Sequence, residues 1–117
     1  MEERAEKMPA VYIMANLYRS TMYVGVTSNL WARVWDHKNK RHDGFTAKYG
    51  LDKLVWYEHH HSMDAAITRE KQLKRWARAW KFRIIEEVNP QWRDLHDEID
   101  PIATLVDTEA GPRPSPR

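Results

Sequence analysis

Arg33 and His37 stand four residues apart in a segment whose apolar residues recur with helical spacing, so their side chains stack on one line. A guanidinium offers several N–H donors in a fixed fork and suits a phosphate. An imidazole can donate to a phosphate or move a proton near neutral pH. In projection this line borders the stripe of Leu30, Trp31, Val34 and Trp35, where a side chain can reach a cleft while its helix packs on a sheet. A surface pair at a helix shoulder has the same spacing. Glu70 poses a similar choice. It lies at the edge of the stripe Ala65, Ala66, Leu73, Trp76, Ala77 and Trp80, on a helix otherwise rich in Lys and Arg. It can pair with Lys74 at i+4. It can also hold a hard cation, since Mg²⁺ commonly takes one or two carboxylates and fills its remaining positions with water and phosphate oxygens. Arg69 projects into the middle of that stripe, which implies a structural ion pair.

The elements that must position these groups follow from local signals. Residues 1–9 form a charged, flexible leader ending at Pro9. Residues 10–27 alternate in two runs and predict a β-hairpin. Symmetry about the Leu17–Tyr18 bond sets Tyr12 opposite Tyr23 on one face, together with Gly25. Val11, Ile13, Met22, Val24 and Val26 then form the core-facing side, and Gly25 leaves the tyrosine face uncovered there. An ordinary aromatic cross-strand pair fits equally well. Ser28 or Asn29 caps a helix from Leu30 to about Lys40. A short helical turn is expected over 45–49, ended by Gly50. Leu54-Val55-Trp56-Tyr57 predicts a third strand. Ser62 caps a long helix over about 63–78, with Asp64 in its first turn. Further helical stretches are expected at about 80–88 and 91–98. The tail from residue 99 carries four prolines and is expected to be disordered. The expected fold is α+β: a small three-stranded antiparallel sheet flanked by helices.

His59-His60-His61 suggests a metal site only superficially, because successive residues on a strand end alternate faces. A solvated or DNA-contacting loop fits better. Asn89-Pro90 is either a turn opening the last helix or part of a site.

Composition narrows the chemistry. The chain has 117 residues and no cysteine. One domain of this length folds without disulfides, and thiolate metal sites and cysteine nucleophiles are excluded. No apolar run has the length of a membrane span and no signal-peptide core is present, so the expected compartment is the cytoplasm. Residues 31–83 hold 13 Lys and Arg against 6 Asp and Glu, whereas the other 64 residues hold 6 against 11. A basic centre flanked by acidic ends suggests a surface for a polyanion. Its candidates are Lys38, Lys40, Arg41, Lys48, Lys71, Lys74 and Arg75.

Ala10-Val11-Tyr12, followed by Tyr23-Val24-Gly25, resembles the signature pair of the GIY-YIG nuclease superfamily. Arg33 follows at the spacing of that family's helix arginine, and a glutamate and an Asn-Pro come later in the right order. The resemblance covers residues 10–98 and is closest to a small stand-alone branch similar to the N-terminal endonuclease domain of the bacterial excinuclease. It implies an endonuclease that hydrolyses phosphodiester bonds in DNA with one divalent cation, Mg²⁺ or Mn²⁺, in repair or recombination. RNA is left open as a second substrate. The implied catalytic set is Tyr12, Tyr23, Arg33, His37, Glu70 and Asn89, with Glu70 as metal ligand. Tyr12 would be the base, aided by nearby cations, and Tyr23 would orient the water. Two positions depart from the family pattern. Ala10 replaces its first glycine, and Val26-Thr27 stands where some members carry a basic residue. The chain is too short for a separate targeting domain, so either specificity is low or a partner protein supplies it. The alternative is a nucleic-acid-binding module of the same fold that has lost the chemistry.

Overall fold

A computed structural model describes residues 8–16, 19, 21–39 and 50–99. Three strands form one antiparallel sheet: β1 (Ala10–Ala15), β2 (Met22–Thr27) and β3 (Lys53–His59), in the order β2-β1-β3. Helix α1 (Leu30–Lys38) follows β2, while α2 (Met63–Arg75) and α3 (Arg78–Val88) follow β3. A 3-10 turn spans Leu95–Glu98. The α+β class with its three-stranded sheet is the one expected.

β1 is central, and all six of its residues are fully buried. Its run AVYIMA is apolar on both faces because both are covered. On one face Val11, Ile13 and Val24 pack with Ala66 and Leu73 of α2, Ile85 of α3 and Trp92. On the other, Tyr12, Met14 and Leu54 pack with Leu30 and Val34 of α1 and with Leu95. The tyrosine face is therefore a second core rather than an uncovered surface. A register shift against β1 between Ile13 and Met14 leaves Val55 as an extra residue in β3. It lets the neighbours Val55 and Trp56 join the same core.

The hairpin register differs from the symmetric expectation. Tyr12 stands opposite Gly25, and Met14 opposite Tyr23. Asn16 closes the loop one step later than assumed: its N–H donates to the Thr21 carbonyl at 3.3 Å, and its side-chain oxygen accepts from the Thr21 N–H at 3.4 Å. Arg19 takes the left-handed conformation inside this loop (φ 58°). The shift is two residues, so side-chain parity survives and the tyrosines still share a face, now as diagonal neighbours.

The helix starts follow their caps. Asn29, not Ser28, caps α1 by accepting from the Ala32 N–H at 3.2 Å, and Ser62 caps α2 by accepting from the Ala65 N–H at 3.1 Å. α2 ends earlier than its apolar period suggests. Trp76 and Ala77 adopt extended backbone (ψ 146° and 154°), and α3 starts afresh. Ala66 and Leu73 are buried as expected, but Ala77 and Trp80 are exposed. The 91–98 helix shrinks to the 3-10 turn, because Trp92 has φ 56° and cannot continue a helix. The turn expected over 45–49, the N-terminal leader (residues 1–7) and the tail beyond Ile99 lie outside the described residues.

Candidate active site

Tyr12, Tyr23 and His37 meet above Gly25. The ring centroids of Tyr12 and Tyr23 lie 6.3 Å apart, and each is 5.7 Å from that of His37. Tyr12 Oη and His37 Nε2 are 3.0 Å apart, and both side chains are buried. Strand parity supplies the two tyrosines, and α1 delivers His37 from the shoulder beside Leu30 and Val34.

Gly25 makes this packing possible. A Cβ at that position would stand 2.5 Å from both Cζ and Oη of Tyr12 and 2.9 Å from Cε2 of Tyr23. No real contact of that kind is tolerated, and the Tyr12 ring is walled in by the core. Gly25→Ala should lower stability by about 1–3 kcal/mol. Denaturant unfolding checks it: an unchanged midpoint would mean that Tyr12 does not lie over Gly25.

Arg33, one helical turn before His37, acts on the Tyr12 phenol through its charge. The phenol oxygen and His37 Nε2 share one proton across their 3.0 Å contact, and the imidazole tautomer sets which of them donates. Burial pushes the Tyr12 phenol far above its ordinary pKa, and Tyr23 and the Glu70 charge add to the rise, while Arg33 partly offsets it. Tyr12 is thus held protonated. Glu70 is nearly buried on α2, and Lys74 Nζ lies 2.6 Å from its Oε2. The i+4 pair is therefore formed, while the carboxylate's charge also acts on Tyr12.

The other candidates fall elsewhere. Asn89 caps the end of α3 and is buried. Its Nδ2 donates to the carbonyls of Val55 (3.1 Å) and Arg93 (2.9 Å), and its Oδ1 accepts from the Arg93 N–H at 3.0 Å. These bonds give Asn89 the turn-holding role and bring it no contact with the tyrosines. Lys38 Nζ is engaged by the Asp52 carbonyl at 3.0 Å and by the Asp94 carboxylate. It ties α1 to the approach to β3 and the 3-10 turn instead of facing a polyanion. Lys71 and Arg75 are exposed, and Lys74 is half exposed beside Glu70. Lys40, Arg41 and Lys48 lie outside the described residues. Arg69 donates from Nε to Glu58 Oε1 at 3.0 Å, the structural pair expected of it. Glu58 Oε1 also meets His60 Nε2 at 2.8 Å. Tyr57 of β3 stands opposite Tyr12 and packs against the same core. The sequence offered no signal for it, because β3 pairing depends on the Val55 bulge.

A family model described as the GIY-YIG catalytic domain matches residues 8–83, about two-thirds of the chain. The chain belongs to the GIY-YIG family. Comparison with curated proteins and with solved structures gives no match. A GIY-YIG domain is a nuclease acting on DNA, with endonuclease activity at the general level, and GIY-YIG nucleases generally depend on a divalent metal. Among the described residues no group of three or more His, Asp or Glu is arranged to hold an ion, and no helix is long and apolar enough to cross a membrane. A single carboxylate in this GIY-YIG site suits a hard cation that keeps water and phosphate oxygens as its other ligands. It does not suit a closed protein cage of the zinc type.

Proposed function

We propose that this domain nicks DNA at the Tyr12–Tyr23–His37 cluster, using Arg33 for the scissile phosphate and Glu70 for one divalent cation, Mg²⁺ or Mn²⁺. The observation that carries the reading is the convergence of Tyr12, Tyr23, Arg33 and His37 over Gly25, with the Glu70 charge felt at the same phenol.

The two tyrosines have different tasks. Tyr12 is fully buried and keeps its proton. We assign it a positioning role, holding the His37 ring at 3.0 Å, in place of the base role that its motif suggests. Tyr23 is only half buried. Its phenol is the one placed to meet water, orient it in line and accept its hydrogen bond as the P–O bond forms. Arg33 neutralises charge growing on the non-bridging phosphoryl oxygens. His37, in contact with Tyr12 Oη and with the Tyr23 ring, would take the proton that the attacking water loses and pass it to solvent. Glu70 would hold the cation, whose contribution is Lewis-acid stabilisation of the leaving oxygen. Lys71 and Arg75 would follow the DNA backbone, so binding should weaken steeply with salt.

The branch assignment, similar to the N-terminal endonuclease domain of the bacterial excinuclease, and a role in repair or recombination in the cytoplasm belong to this proposal. So does a partner protein that supplies specificity. The test is nicking of branched and damaged DNAs by the wild-type protein, with Mg²⁺, with Mn²⁺ and with neither. Nicking that requires the ion supports the reading. No cleavage of any substrate in any ion would make the domain a binding module of the same fold.

A further inference from the structure

Residues 69–83 hold seven Lys or Arg against one acid, Glu70, and two tryptophans stand among them. Trp76 follows the last turn of α2 and is half-buried, with the Arg69 guanidinium carbon 5.4 Å from its ring centroid. Trp80, in the first turn of α3, meets Trp76 edge-on at 6.3 Å. The Arg83 guanidinium carbon lies 5.2 Å from the Trp80 centroid. Yet Trp80 remains 53% exposed. The backbone break at Trp76–Ala77 takes it off the apolar stripe that its spacing from Leu73 would give it. Ala77 and Ala79 beside it are exposed and small. α3 also begins with no capping side chain and no acid in its first turn, so its N–H groups add positive potential there.

We propose that the Trp76–Trp80 pair, with Arg69 and Arg83, is a stacking platform for an unpaired base of the DNA, separate from the cleavage cluster. Every base has a π-face, so a tryptophan ring accepts any of them, while Arg83 takes a flanking phosphate and Arg69, held by Glu58 and Gln72, braces the Trp76 ring. Charge favours this occupant over an apolar protein surface, which would bury the Arg83 guanidinium with no ion pair among the described residues, whereas Arg69 already has Glu58. Trp80 follows Glu70 by ten residues, a path on the order of 20 Å at most for helical and extended rises. A strand on the platform can therefore continue toward the cleavage cluster. The inference rests on the DNA-nicking reading and narrows its substrate to DNA with an unpaired segment.

The test is equilibrium binding of a fluorescein-labelled single strand and of its blunt duplex, at fixed salt with no divalent metal present. Trp80→Ala should weaken single-strand binding on the order of tenfold and duplex binding much less. Trp80→Phe should keep most of the affinity, and Arg83→Ala should fall between. Single-strand binding by Trp80→Ala equal to wild type would overturn the platform, as would an equal loss on single strand and duplex. A thermal midpoint for each variant guards against misfolding, which an exposed position should not cause. Cleavage is not read here, so an inactive protein would sink the nicking proposal while this binding result stands or falls alone.

Discussion

Arg33→Lys is expected to slow DNA nicking about 10²–10³-fold, the cost of removing one well-placed donor from a developing oxyanion, or about 3–4 kcal/mol of transition-state stabilisation. The charge survives the change, so the loss isolates geometry. Arg33 is half-buried on α1, and its charge already acts on the Tyr12 phenol. A planar fork can serve that oxygen and a phosphoryl oxygen together, whereas an ammonium on a flexible stem cannot hold the same fixed pair. Most of the charge that draws DNA to the protein lies elsewhere, in the other Lys and Arg of residues 31–83. The DNA dissociation constant without metal should therefore move less than about threefold, while the single-turnover rate collapses. The Tyr12 hydroxyl keeps His37 and its ring stays packed over Gly25, so the unfolding midpoint should hold. A lysine variant that nicks within threefold of wild type would show that Arg33 does not meet the scissile phosphate.

What the sequence revealed of this site was what depends on period. Strand parity put Tyr12, Tyr23 and Gly25 on one face whatever the register, because a two-residue slip leaves every side chain on its side. Helical period put His37 beside Arg33 on the shoulder of α1. The register itself was not legible, since it turns on how Asn16 closes the loop and on a left-handed Arg19. Occupancy was not legible either. Lys38 looked like any surface lysine until the fold brought Asp94 to it across 56 residues of sequence. Asn89 lies in the motif that the family resemblance picked out, but its amide is spent on the backbone of Val55 and Arg93. The environment of Tyr12 was hidden for a related reason. A motif tyrosine near cations suggests a lowered pKa, but burial in a second core outweighs Arg33 and raises it. The apolar period through Trp80 was real, and the backbone break at Trp76–Ala77 overrode it.

Glu70 and Lys74 carry the other large effect, because in the proposed site the ion pair and the metal would compete for one carboxylate. Lys74 Nζ lies 2.6 Å from Oε2, and among the described residues Oε1 makes no hydrogen bond. The lysine is half exposed, so the pair is weak enough to yield, yet Glu70 itself is nearly buried and would be costly to leave charged and alone. In the proposed site Lys74 would act as a placeholder that keeps the carboxylate aimed until a cation replaces it. Glu70→Gln keeps the shape and removes the charge. Nicking should fall at least 10²-fold, and raising the metal concentration should not restore it. Lys74→Met removes the competitor and keeps the aliphatic stem. At saturating DNA it should reach half-maximal rate at a metal concentration about two- to tenfold below that of wild type. The opposite shift, with the methionine variant needing more metal, would mean that Lys74 orients Glu70 for the ion instead of competing with it. Glu70→Gln at the wild-type rate would remove Glu70 from the metal site altogether.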